Sequence, residues 1–233
     1  GDTGNAVNYA NDVIDRASRF FPFATREQVN GQATSGSANT SAEDRIFSSE
    51  ILFGNYHSKR TTDIFDKIFS YKLEAKNVLK MSDYGISQLY EDDGDLRKCQ
   101  WQTQRDTEGN VGQFFVKYGD VTDNGFEFAR LLPMIRMSEM YLIKAECTKD
   151  YKALNPIRKA RNIPQLKSNI GLNGYIEDEY VREFIGEGQL FWYYKRKGVT
   201  SIPRLYNPSL EDMQITNSTY VFDLPDSEQQ LRK

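Results

Sequence analysis

Among the side chains able to do chemistry, two glutamates come first. Glu139 and Glu146 lie in the stretch PMIRMSEMYLIKAEC, seven residues apart. On a helix they stand about 10 Å apart along the axis. That resembles the wider carboxylate spacing used by inverting glycosidases. The plainer reading pairs them with Arg136 and nearby backbone, Arg136 and Glu139 being one helical turn apart. No sugar-ring cleft is legible around them, so pairing is the expectation. His57 is the only histidine. A Ser-His-Asp arrangement would have to use it, yet no G-x-S-x-G, H-E-x-x-H or phosphate-cradling glycine loop accompanies it. It reads as a loop residue. Cys99 and Cys147 lack metal-ligand spacing, and both are expected free, with Cys147 buried. The acidic run Glu91–Asp95 (EDDGD) lacks the order of a calcium loop and reads as a solvated turn. No metal, cofactor or catalytic residue is therefore expected.

Aromatic side chains offer the other chemistry. They form 13% of the 233 residues. Most belong in a ring-rich core, but those on loops can stack on the apolar faces of sugars. Tyr56, Tyr84 and Trp101 are the candidates. Trp101 sits in a hairpin, where alternate side chains point inward, so its ring faces either the core or solvent. Trp192 lies on a helix stripe and reads as structural. The net charge of −3 and the lack of a dense basic run disfavour nucleic acid. No apolar run reaches the 18 residues of a spanning helix.

These residues need elements to hold them. The stretch Glu177–Gly198, EDEYVREFIGEGQLFWYYKRKG, has the layout of one long helix. Acids open it, bases close it and Gly198 caps it. Val181, Phe184, Ile185, Gly188 and Trp192 share one face. Gly186 and Gly188 run against the pattern, each costing up to about 1 kcal/mol relative to alanine. They imply that a backbone or bulky side chain approaches closely there. Pro133–Thr148 reads as a second helix enclosed by neighbours, and Ala153–Asn162 as a third, with Asn155 as N-cap and Pro156 at its first position. Ala6–Phe20, with Tyr9, Ala10, Val13, Ile14 and Ala17 at helical spacing, reads as the second half of a helical hairpin. If its first half is absent, that stripe should expose an apolar patch or bury it against another molecule. Thr62–Phe69 and Ser82–Tyr90 are short helices, the latter capped by Ser82. Ser49–Tyr56 is a strand or a buried extended segment. Cys99–Gln104 and Gln113–Tyr118 pair across a turn at Asp106–Asn110. Thr219–Leu224 is a terminal strand. Gly31–Ser41 is a Gly/Ser/Thr/Asn loop, and Asn39-Thr-Ser and Asn217-Ser-Thr match the short glycosylation pattern.

Five pieces in one order carry a resemblance. PMIRMSEMYLIKAEC (133–147), ALNPIRKARNIP (153–164), EYVREFIGEGQLFWYYKRKG (179–198) and YVFDLPDSE (220–228) follow SSEILFGNY (48–56). Together with Asp95-Leu-Arg97, a D-x-R, they resemble the SusD/RagB family across residues 48–228. Members are usually about twice this length, so the chain looks like the rear half of the family fold. Residues 1–47 would form a repeat-type helix and loop, 48–132 a loop and strand region, and 133–233 the C-terminal helices and terminal strand, all in a single SusD-like domain. EGQLFWYYKRKG replaces the family's commoner arginine-containing ending, a subgroup variation.

The resemblance implies a mainly α fold, a tetratricopeptide-like α/α superhelix with an irregular loop-rich region and a few short strands. It also implies a non-catalytic lipoprotein exposed on the outer membrane of Bacteroidetes-type bacteria, anchored through an N-terminal region not present in this chain. Its partners would be an oligosaccharide or other nutrient and a SusC-like TonB-dependent transporter. A protein- or peptide-binding helical scaffold is the alternative, and a glycan hydrolase the minor one.

Overall fold

The computed structural model describes residues 1–31, 43–119, 127–204 and 211–231. The expected loop over Gly31–Ser41, apart from Gly31, and the Asn39 pattern lie outside them. The fold is mainly α with a few short strands. Helix α1 (Thr3–Ala17) begins at Asp2, whose side chain accepts from the Asn5 N–H at 3.0 Å. Ala10 and Ile14 turn its buried face toward α4 (Met137–Thr148). Tyr9, expected on that face, is 72% exposed, and Phe20 just beyond is 66% exposed. Thr25 and Gln28 cap the short α2 (Arg26–Asn30) reciprocally.

Strand β1 (Ile51–Tyr56) pairs antiparallel with β5 (Leu131–Arg136), with irregular register on both sides of Phe53. The helix expected over Pro133–Thr148 therefore starts only at Met137. Pro133 fits a helix start as well as a strand in the local sequence. The partner that decides, β1, lies some 80 residues upstream. A second sheet, ordered β2-β4-β3, joins β2 (Lys80–Met81), β3 (Trp101–Arg105) and β4 (Val111–Phe115). Its β3–β4 hairpin is the expected one, shifted by about two residues. Between the sheets, Thr61–Phe69 winds as a π-helix rather than an ordinary helix, with Phe65 in the core. Ser82 caps α3 (Asp83–Leu89) as expected, accepting from the Gly85 N–H at 3.0 Å.

Helix α4 leads through Lys149, in the left-handed conformation, to α5 (Tyr151–Ala160). Asp150, not Asn155, caps α5, and Pro156 sits inside it. Asn155 instead staples the following loop. Its amide donates to the Leu166 carbonyl at 3.0 Å and accepts from the Leu166 N–H at 2.8 Å.

The single helix expected at Glu177–Gly198 is two. Helix α6 (Leu172–Phe184) ends and α7 (Gln189–Lys197) begins across Ile185–Gly188, where Gly186 and Gly188 take φ of +75° and +84°. A Cβ at Gly186 would lie 2.7 Å from Phe115 Cζ. That is the close approach the glycine implies, and at a positive φ it stops the helix. Gly198 caps α7 in the left-handed conformation as expected. The tail forms a small β6–β7 pair (Ser201–Ile202 with Met213–Gln214), a 3-10 turn over Asn217–Tyr220 and α8 (Asp226–Leu231). No strand forms at Thr219–Leu224. Tyr220 turns inward and donates to the Val199 carbonyl, while Val221 and Phe222 stay exposed.

Among the described residues two large apolar cores result, with a smaller cluster of Ala24, Val29, Phe47 and Leu96 beside them. One gathers Ile51, Phe65, Met81, Trp101, Phe115 and Tyr118 from the strand region. The other gathers Leu142, Leu154, Ile157, Ile176, Tyr180 and Tyr193 from α4 to α7. None of the described helices is long and apolar enough to cross a membrane.

Candidate functional site

Between the cores lies a lattice of buried charge. Glu183 of α6 is its centre. It accepts from Arg161 Nε at 2.7 Å, from Arg136 Nη1 at 2.8 Å and from Arg97 Nη1 at 3.1 Å. Arg161 also clasps Glu50 with two bonds of 2.6 and 2.7 Å. Glu179, one turn before Glu183, takes Arg97 at 2.6 Å and Arg158 at 2.8 Å. Lys117 pairs with Glu187, which also takes Arg136. Asp95 caps the 3-10 turn Leu96–Gln100 and pairs with Arg97 at 2.7 Å. The D-x-R motif is thus a local ion pair that aims Arg97 at α6. Burial works to raise the Glu183 carboxyl, but Arg161, Arg136 and Arg97 outweigh it and hold it well below its usual range. Phe47 lies beneath the Arg161 guanidinium, 4.0 Å from ring centroid to Cζ, and takes φ +56°. That conformation is strained for an aromatic residue, and the packing around it enforces it.

This lattice is structural. Its carboxylates and guanidinia satisfy one another in the interior, so nothing is offered to a ligand. It also overturns the expected Arg136–Glu139 pairing. Arg136 ends β5 and turns into the lattice, whereas Glu139 sits half-buried on α4 with no ion-pair or hydrogen-bond partner among the described residues. Glu146 binds Arg196 through both oxygens, at 2.7 and 2.8 Å, with Lys197 at 3.6 Å. Burial raises the Glu139 carboxyl, while the Arg196 bonds and charge hold Glu146 low against its burial. A base clasped by two N–H donors is poorly placed to activate water. His57 lies in a loop as expected, Nδ1 accepting from the Lys59 N–H at 3.3 Å. Cys147 is half-buried rather than buried, and both cysteines are free. Burial pushes the Cys99 thiol up to about 12. Among the described residues no cluster of His, Cys, Asp and Glu could hold a metal ion.

The three candidate aromatics separate. Trp101 is buried, its Nε1 donating to Tyr90 Oη at 3.0 Å and its ring 5.0 Å from that of Phe115. It belongs to the first core, because alternation along β3 turns it inward, and it presents no face to a ligand. Tyr56 ends β1, is 55% exposed and accepts from Arg130 at 3.0 Å. Tyr84, 52% exposed, lines a cleft of about 460 Å³ between α3, α6 and the tail. Facing it there are Glu177 and Asp178 of α6, Tyr194 of α7, Arg204 and Asp212. Burial raises the Asp178 carboxyl against the pull of Arg182. Burial also pushes the Tyr194 phenol up to about 12. An exposed ring opposite planar acids and a guanidinium can stack on one face of a polyol and accept or donate along its edge.

Sequence reasoning missed all but Tyr84 of this cleft. Glu177 and Asp178 read as the first turn of a helix that in fact begins five residues earlier, so they lie mid-helix facing α3. Trp192, read as structural, is 58% exposed and lies in a second groove. The break at Gly186–Gly188 resets the helical phase, so a stripe continued across it misplaces Trp192.

The chain matches the model of the SusD family over residues 21–230. A search of curated proteins returned no match. Among solved structures, a SusD superfamily protein from Bacteroides thetaiotaomicron VPI-5482 is similar, with a TM-score of 0.69 at 21% identity. The alignment covers 99% of this chain and 55% of that one. A protein from Bacteroides vulgatus ATCC 8482 described as sugar-binding has a TM-score of 0.66 at 18% identity, over 99% of this chain and 54% of its own. A SusD-like carbohydrate binding protein from the same organism has a TM-score of 0.63 at 16% identity, over 98% and 54%. The chain spans about half the length of these structures, whose low identity establishes a shared fold alone. With the family match reaching from just beyond α1 into α8 and the fold in agreement, the chain belongs to the SusD family.

Proposed function

We propose that the protein captures a glycan or other nutrient without transforming it and delivers it to a SusC-like TonB-dependent transporter. Capture takes place at the surface of the outer membrane, where a lipid anchor in a region outside this chain holds the protein. Family membership carries this reading. Two fold relatives described as binding sugar or carbohydrate are in keeping with it, by analogy of fold. The packing of α4 on α5 across the short connection at Lys149 and Asp150 suits tetratricopeptide-like repeats. Tyr84 is the aromatic we assign to the ligand, with Tyr56 as a separate contact on β1. The arrangement at Glu139 and Glu146 supports binding rather than hydrolysis, because Arg196 occupies the would-be base.

Calorimetric titration with a panel of oligosaccharides tests the reading. Binding that weakens in Tyr84→Ala without any turnover of the glycan supports it. Turnover of a panel member overturns it. One observation favours a protein-binding scaffold as the second reading: Phe53, Tyr56, Met134 and Ile135 leave an apolar surface on the β1–β5 ribbon. Co-purification with a transporter, and no response to any glycan, would favour that reading.

A further inference from the structure

A groove of about 760 Å³ runs between α4 and α7, with Asp2, Thr3 and Ala6 of α1 at its rim. It shares no lining residue with the Tyr84 cleft. Its two ends are fixed by hydrogen bonds. At one, Gln189 at the start of α7 donates to the Met134 carbonyl, just before α4 begins. At the other, Arg196 clasps Glu146. The helices therefore run side by side in the same direction. Glu139 and Gln189 mark one end, and Glu146 and Arg196 the other, about 10 Å further on. Trp192 lies between them on the α7 wall, one turn from each end. Ile143 and Cys147 of α4 and Tyr193 of α7 also line the groove.

The open groups define what fits. The Trp192 indole is exposed, and Phe191, edge-on at 5.1 Å, and Phe222 at 6.2 Å brace it. It offers a flat apolar face whose orientation its neighbours hold. Glu139 has no hydrogen-bond or ion-pair partner among the described residues, although the charge of Arg136 acts on it. An unpaired carboxylate is an acceptor, so the occupant must bring a donor as well as an apolar face. Lys149 and Arg196 line the groove against Asp2, Glu139 and Glu146, and Lys195 Nζ lies 5.7 Å from the Trp192 ring centroid, where it opposes a cation stacking on that ring. A hydroxyl-rich ring without charge meets all three conditions.

We propose that this groove is a second carbohydrate site, in which a neutral sugar stacks on Trp192 and donates a hydroxyl hydrogen to Glu139. The site is additional to the capture at Tyr84, and each can fail without the other.

The chain has two tryptophans, and Trp101 is buried, so acrylamide quenching reads Trp192. The probes are neutral gluco-, manno- and xylo-trisaccharides. The expected result is saturable protection of Trp192 that persists in Tyr84→Ala and weakens about tenfold in Glu139→Ala. Circular dichroism matched to the parent shows that each variant folds. Calorimetric binding abolished by Tyr84→Ala, with Trp192 still freely quenched, overturns the second site and leaves the capture reading standing. Protection unchanged in Glu139→Ala overturns it too, as does protection by putrescine but by none of the sugars.

Discussion

Around Glu183 three arginines share one carboxylate, all out of reach of water. Around Tyr84 the polar groups line open space, and Glu177 there has no ion-pair partner among the described residues. The two regions adjoin through α6, whose residues 179 and 183 face inward while 177, 178 and 181 face the cleft. In the interior, charge serves geometry. The guanidinia reach carboxylates on other elements, and the set fits only when the turn Ser48–Glu50, β5, α5 and α6 stand in this one arrangement. Such a lattice adds modestly to net stability, because desolvation offsets most of its attraction. What it adds is a penalty on every other arrangement. On the cleft side Asp178 reaches Arg182 only at 3.9 Å and Glu177 keeps its valence free, which is what a ligand can use.

The sharpest way to break the contrast is Glu183→Ala. It leaves three buried arginines short of a counter-charge and should cost about 3–5 kcal/mol in urea unfolding. A loss under about 1 kcal/mol would mean the lattice relaxes or hydrates, and the distinction between the regions would fall.

Acid probes the same charges without mutation. Glu183 has a folded pKa well below its ordinary value, so its contribution is present above about pH 4.5 and is lost as the pH falls through the folded value. Asp106, held at about 2 chiefly by its hydrogen bond from Lys80 and further by Asn110, acts in the same direction. Asp44, Glu139 and Asp178, whose carboxyls burial raises, act in the opposite sense at higher pH, so the decline in stability measured from pH 6 downward should set in only below about pH 4.5. A stability still rising below that pH would contradict both assignments.

A smaller effect separates the two glycines of the helix break. Both have positive φ, but a Cβ at Gly186 meets the Phe115 ring, whereas at Gly188 it meets open space. Gly188→Ala should cost about 1 kcal/mol for the backbone alone. Gly186→Ala should cost about 2 kcal/mol or more, because the ring must also move. Equal losses would show that Phe115 yields freely.

The smallest effect on stability is expected at Tyr84→Ala, within about 0.5 kcal/mol. Affinity for a stacked glycan should nevertheless fall by about 2- to 12-fold, the worth of one aromatic contact. A large loss of stability with unchanged affinity would return Tyr84 to the core.

Much of this architecture is legible locally. Ser82 and Gly198 announce their caps, the DTEGN turn announces its hairpin, and the pair of glycines announces a close approach. The errors share a cause. Leu131–Arg136 became a strand because β1 lies beside it, not through any propensity of its own. The same holds for the lattice. Arg136, Arg158, Arg161, Glu179 and Glu183 read as the polar faces of helices, since charge is ordinarily solvated. One signal was available: Glu179 and Glu183 share a helix face, a turn apart, with Arg182 beside them, as a buried charged stripe would.

The sequence by itself determined the family, the mainly α class and most element positions, because motif order, caps and turn residues act through neighbours a few positions away. Only the tertiary structure decided which rings and which charges face solvent. Trp101, left open between core and solvent, is buried, Trp192, read as structural, is exposed, and Glu139 was left without a bonded partner while Arg136 was buried. Exposure depends on what packs from distant parts of the chain, and two residues of the same type carry no mark of which will be covered.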